Sequence, residues 1–145
     1  MSKSNAFESA LLALIFQNTN IADIGDATGL RGAAAAGQLF LALHTADPGE
    51  AGTQTTSEVA YTGYARVGLA RSSGAFTITG NSVSPAANVN FPICTAGSAT
   101  ATHFSIGVAS TGAGMVLYKG AISPAIAIAA GVTPQLTTAT VITED

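Results

Sequence analysis

The chain has 145 residues, enough for a domain with a real hydrophobic core, yet only 9% of them are charged against 48% hydrophobic. Five Lys and Arg stand singly in a chain of net charge −3, which excludes the clustered basic face of a nucleic-acid binder and attraction to anionic membranes. Average soluble domains carry roughly 25% charged residues, so a surface this poor in charge favours self-association or assembly over a lone monomer coated with Thr, Ser, Asn and Gly.

The apolar content comes largely from Ala and is broken by Gly and Pro, so no uninterrupted run is long enough to span a bilayer. The opening MSKSNAFESALLALIFQ has one Lys, an acidic Glu8 and no small-residue cleavage site after Phe16, which argues against a signal peptide. With one cysteine, Cys94, no internal disulfide is possible, and synthesis in a reducing cytoplasm is expected.

Residues 5–18 read as a helix. Phe7, Leu11, Leu14 and Ile15 fall at i, i+4, i+7 and i+8, while Leu12 and Phe16 widen the apolar face. Asn5 is a suitable N-cap, with Glu8 three residues on. Such a helix packs on the chain's own body or reaches a neighbouring subunit, and the spacing does not choose between them. In the second case, deleting residues 1–18 weakens attachment and leaves the β-body folded. Residues 20–38 are rich in Gly and Ala and read mostly as loop.

From residue 38 the period changes. QLFLALHT (38–45) has the size of a buried strand, and residues 46–63 form a long polar loop. YARVGLAR (64–71) alternates, with Arg66 opposite Ala65, Val67 and Leu69. AFTITG (75–80) alternates too, and Gly80-Asn81 suits a tight hairpin leading into SVSPAANVNF (82–91). THFSIGVAS (102–110), MVLYKGAI (115–122), AIAIAA (125–130) and TATVIT (138–143) follow. With no helix between the strands, the expected fold is mainly β: an antiparallel β-sandwich or jelly roll of about eight strands with one N-terminal α-helix. Residues 1–38 form the helix and arm, and 39–145 the body. The segments near the C-terminus are β-prone and uncharged, and as free edges they need a cover from the fold or a partner.

The stretch LALHTADPGEAG (41–52) is where chemistry would sit, with His44, Asp47 and Glu50 around a Pro-Gly turn. Pro48 presets φ at the second turn position and Gly49 accepts a positive φ at the third, so Asp47-Pro48-Gly49 needs no ligand to explain it. A zinc site wants three or four ligands, but His103 and Cys94 are distant in sequence, and no acidic calcium loop occurs. No metal and no cofactor are expected. Cys94 beside Ile93 reads as a small buried hydrophobe. No nucleophile-elbow or phosphate-loop motif is present, and TGAG (111–114) is a weak glycine turn, so an enzyme is not expected. The candidate partner contacts are Phe7, Leu11 and Phe16 on the helix, and Asp47, Pro48, Glu50, Tyr61 and Arg66 in and beside the loop. Arg66 and Arg71 otherwise lie on a solvated strand face or pair with nearby acids, and Tyr61, Tyr64 and Tyr118 close core edges or serve an interface.

LALHTADPGEAGTQTTSEVAYTGYARV (41–67), NSVSPAANVNFP (81–92) and ATHFSIGVASTGAGMVLYKGA (101–121) resemble a family of small structural proteins of tailed bacteriophages. Its members are often labelled tail fibre proteins, and some look like the cement or decoration proteins that coat a phage head. The resemblance covers most of residues 30–145 and is weaker over the helix. It implies a non-enzymatic virion component made in the host cytoplasm. The expected role is a cement protein that binds across junctions of the phage major capsid protein and stabilises the assembled shell by mass action. A homo-oligomer, such as a dimer on two-fold positions, fits this role. The runner-up is a tail fibre or baseplate component bound to tail proteins. A carbohydrate-binding sandwich is a third reading, weakened by the absence of Trp.

Overall fold

The computed structural model describes residues 3–22, 24, 29 and 32–144. The protein is mainly β, with one helix among the described residues and antiparallel pairing in the strand registers, as the alternation and turn residues lead one to expect. The strands are divided four, three and two among sheets. The chain forms two compact units, each discontinuous in sequence: Met1–Gln38 with Ala70–Asn88 and Thr137–Asp145, and Leu39–Leu69 with Val89–Leu136. The loop expected over residues 20–38 falls partly on residues 23, 25–28, 30 and 31, outside those described. Among the described residues, no helix is long and apolar enough to cross a membrane.

The first unit holds helix α1 (Asn5–Gln17) and a three-stranded sheet in the order β3 (Phe76–Thr79), β4 (Ser82–Pro85), β9 (Ile142–Thr143). The N-cap is Ser4, one residue before the expected Asn5. Its backbone is extended and its hydroxyl accepts from the Phe7 N–H at 3.4 Å. At the other end Asn18 turns left-handed (φ 58°), and the N–H groups of Asn18 and Thr19 (3.0 Å) both reach the Ala13 carbonyl, which ends the helix.

The buried stripe of α1 is Glu8, Leu12 and Phe16, not the expected Phe7, Leu11, Leu14 and Ile15. Leu12 and Phe16 are as apolar as Leu11 and Ile15, so periodicity alone does not select one face. The tertiary partner does: Phe16 meets Phe76 of β3 edge-to-face at 5.0 Å, and Leu12 and Phe16 are fully enclosed. Burying each of these side chains contributes about 1.5–3 kcal/mol.

β3 and β4 pair from Phe76↔Pro85 to Thr79↔Ser82, leaving Gly80-Asn81 as a two-residue loop. Gly80 takes φ 60° while Asn81 does not, the pattern of a II′ turn, so the hairpin expected there is formed. The Ser9 hydroxyl donates to the Gly80 carbonyl and Gln17 Nε2 to Phe76 O at 3.0 Å, fixing the helix against the hairpin. The chain's end is bound by Val83↔Ile142 pairing and by Lys3–Glu144 at 3.0 Å.

The second unit is built on a four-stranded sheet in the order β2 (Val67–Ala70), β1 (Gln38–His44), β6 (Ser98–Gly107), β7 (Val116–Ala129). β5 (Val89–Asn90) and β8 (Gln135–Leu136) form a two-stranded ladder. β1 lies between two strands and Leu41–His44 are all buried, which is why its sequence reads as an apolar run rather than an alternation. Its register on β6 sets Leu41 against Ile106, Leu43 against Phe104 and His44 against His103.

Several segment boundaries differ from the sequence expectation: 64–71 is a strand only at Val67–Ala70, 138–143 only at Ile142–Thr143, and the strand expected at 102–110 is Ser98–Gly107. Residues 82–91 are two strands, β4 and β5, that join different sheets. Conversely, 115–122 and 125–130 are one strand, β7, which runs through Pro124. The register explains this: Thr102 alone faces the four residues Ile122–Ala125, so proline sits in an irregularity of an edge strand, where its missing N–H breaks no ladder bond. The short β8 carries no strand signal of its own and is held by pairing Val89↔Leu136 and Asn90↔Gln135.

Candidate functional site

The corner that follows β1 is the most heavily bonded polar region of the second unit. His44, the last residue of β1, is fully buried. Its Nδ1 lies 2.8 Å from the Thr56 carbonyl and its Nε2 2.8 Å from the Ser105 hydroxyl. A neutral ring satisfies both, with Nδ1–H donating and Nε2 accepting. Burial lowers the His44 pKa below its ordinary 6.5, although the Thr56 bond and Glu58 pull the other way. His44 is therefore a tie between β1, β6 and the following loop.

The Asp47-Pro48-Gly49 turn forms as the residue types dictate. Gly49 takes φ 75° and its N–H donates to Asp47 Oδ1 at 2.8 Å. That bond, with Lys119, holds the Asp47 carboxyl below the usual range. Lys119 Nζ lies 3.0 Å from Asp47 and 3.1 Å from Glu50, and both carboxylates raise its pKa. Gly49, Glu50 and Gly52 on one side and Val116–Lys119 on the other line a shallow cleft of about 320 Å³.

Deeper in the loop, Gln54 is fully buried and its amide is used at both ends: Nε2 donates to Phe40 O at 3.1 Å and Oε1 accepts from Ala109 N at 3.0 Å. Gly107 and Gly114 border this amide so closely that a Cβ on either would overlap it. Glu58 and Arg66 pair in a fork, Nε–Oε1 at 2.7 Å and Nη2–Oε2 at 2.8 Å. The same guanidinium donates to the carbonyls of Ala109 and Gly112. The Tyr64 hydroxyl donates to Glu58 Oε1 at 2.9 Å and accepts from the Leu43 N–H at 3.1 Å, and burial pushes its pKa well up.

The candidate contact residues separate by burial. Phe7 (37% exposed), Asp47 and Glu50 are accessible, and Leu11 is half-buried. Phe16 is enclosed against Phe76, and Pro48 and Tyr61 are buried, with the Tyr61 hydroxyl donating to Pro92 O at 2.8 Å. These three are therefore corrected from partner contacts to core, because their surfaces are already covered by their own unit. Only 3% of the Arg66 side chain is exposed, so it is an internal clamp and not a residue of a solvated face, although its pairing with a nearby acid is as expected. Removing residues 1–18 would strip the buried Leu12 and Phe16 from the first unit and uncover Phe76.

Gln54 and Lys119 were not singled out by sequence. Their partners lie 55 and 72 residues away, and no local spacing announces them. Arg71, expected on a solvated strand face or paired with an acid, instead donates in the first unit to the carbonyls of Leu14 (2.6 Å) and Ile15 (2.6 Å) at the C-terminal end of α1, and to that of Ala36 (3.1 Å). Cys94 is fully buried, as its apolar neighbourhood led one to expect. Among the described residues, no three His, Cys, Asp or Glu side chains gather as a metal site.

The arrangement is thus one of strands and loops locked by buried polar ties, with an exposed acidic and basic rim at Asp47, Glu50 and Lys119. No curated protein matches the chain. The family model described as podophage GP4 fiber I protein gp80 matches residues 2–144, and the chain belongs to that family of phage structural proteins.

Proposed function

We propose that the protein is a non-enzymatic subunit of a fibre carried by a tailed-phage virion. The observation that carries this reading is the fibre-family match over nearly the whole chain. The site geometry supports a mechanical role. His44 and Ser105, the polar pair nearest to a catalytic arrangement, are both buried and bond each other inside the sheet. Gln54, Glu58 and Arg66 likewise serve to fix loops. Contacts to other virion proteins are assigned to the exposed Phe7 and to the Asp47–Lys119–Glu50 rim.

A second reading, a head cement protein bound across major capsid protein junctions, is favoured by the low charge of the chain, which suits a subunit that covers much apolar surface. Quantitative mass spectrometry of purified particles separates the two. A copy number that is a small fraction of the major capsid protein, with antibody label on the fibres, supports the fibre. A copy number near that of the capsid protein, with label over the head, replaces it with the cement. Absence from the particle sinks both.

A further inference from the structure

The four-stranded sheet ends on β7, and its other edge is β2. The two edges are built differently. β2 has four residues and is bracketed by Arg66 and Arg71. β7 has fourteen, and residues 120–143 carry no Asp, Glu, Lys, Arg or His. Native edge strands are commonly kept short or guarded by charge, because their unpaired N–H and C=O groups accept another strand. The first part of β7 is attended by the 49–52 loop, where Lys119 binds Asp47 and Glu50. Pro124 removes one donor and limits pairing beside it. What is left is Ala125, the last residue of the irregularity, and Ile126–Ala129, which lie in ladder with Ser98–Ala101 of β6 and, among the described residues, have no strand on their outer side.

We infer that Ala125–Ala129 of β7 is a docking edge for the same strand of a second copy, giving an antiparallel, two-fold dimer in which the sheet continues from one subunit into the other. Several features fit that occupant. A two-fold centred on Ala127 sets Ala125 opposite Ala129 and Ile126 opposite Ile128, so the segment is its own complement. The exposed face then carries only Ala125, Ala127 and Ala129, whose methyl groups let the backbones reach ladder distance. On the other face, half-exposed Ile126 gains the partner's Ile128 as a cross-strand neighbour, and Ile128 is already 2% exposed in the core. No like charges meet in this register, and the chain as a whole has little charge to oppose self-association. The inference goes beyond the virion reading and stands or falls without it.

The test is sedimentation equilibrium of the full chain, wild type against Ala125→Lys/Ala127→Lys, with hydrogen exchange measured at high and low protein concentration. The expected result is a wild-type dimer whose amides in residues 125–129 become protected as concentration rises. In the double lysine variant, like charges across the two-fold weaken the dimer about tenfold or more, while circular dichroism keeps the wild-type β signal. The exchange measurement is made on the wild type, so it decides the matter even if the variant does not fold. A monomeric wild type, a dimer without protection at residues 125–129, or higher oligomers from β7-to-β2 pairing each overturns the inference.

Discussion

Arg66 holds Glu58 by two parallel hydrogen bonds, at 2.7 and 2.8 Å, and sends two more to the Ala109 and Gly112 carbonyls. One guanidinium therefore joins the loop after β1 to the turn between β6 and β7. Replacing it by Ala leaves a largely buried carboxylate and two carbonyls without their donors. We expect Arg66→Ala to cost about 3 kcal/mol, the range found when one partner of a buried pair is removed. Arg66→Lys should recover little of it, because an ammonium cannot reproduce the fork. Urea unfolding midpoints give both values, and a loss under about 1 kcal/mol for the Ala variant would mean that water replaces the clamp.

In the first unit, Arg71 closes the C-terminal end of α1 by donating to Leu14 and Ile15 carbonyls that lack partners within the helix. Charge and geometry act together there, since a cation suits the negative end of the helix dipole. Arg71→Met keeps the apolar stem and removes the donors, with an expected cost of about 2 kcal/mol. Amide exchange in the last turn of α1 should rise before exchange in β3 and β4 does. Uniform acceleration over the whole unit, or none, contradicts a local capping role.

Both of these side chains show where sequence stops being informative. The strands were legible where alternation or a compact apolar run met turn chemistry: β1, β3 and the Gly80-Asn81 hairpin lie where those rules place them. The packed face of α1 was not, because Leu11 and Leu12 are equally apolar and only the position of Phe76 decides between them. Pro124 looked like a break and instead lies in an irregularity whose existence depends on the spacing of β6. At the corner, Asp47-Pro48-Gly49 was readable as a turn because its logic is local. The ties of Gln54 to Ala109, Arg66 to Ala109 and Lys119 to Asp47 span 43 to 72 residues and become visible only once the sheet register is known.

Gly107 and Gly114 make the same point in a form that mutation can check. Neither is required by a positive φ. Each leaves room for Gln54, whose amide would be struck by a Cβ at either position, and at Gly107 the Met115 carbonyl is also in the way. Gly107→Ala should therefore cost about 2–3 kcal/mol through overpacking and the displaced Gln54 bonds. Gly74→Ala is the control: its Cβ would meet only the Ser72 hydroxyl, at 3.8 Å, and it should be neutral or stabilising by up to about 1 kcal/mol. Equal thermal shifts for the two variants would show that the Gln54 amide moves aside at little cost.

His44 gives the protein a specific dependence on pH. The folded ring takes a proton less readily than the ordinary value of 6.5, chiefly because it is buried. The unfolded chain therefore holds more protons than the folded one between the lowered value and 6.5, and stability rises with pH across that interval. Put the other way, the stability linked to neutral His44 is complete above 6.5 and is lost as pH falls from there towards the folded-state value. Glu58, Arg66 and His103 also act on the ring, the first favouring its protonation and the other two opposing it. We expect the urea midpoint of the wild type to drop between about pH 7.5 and pH 5.5, a window in which ordinary carboxylates stay ionised. His44→Gln should be less stable at neutral pH, having lost a ring that bonds Thr56 and Ser105, but flatter over that window. Parallel pH profiles for the two proteins would assign the dependence to another group and leave His44 a purely structural tie.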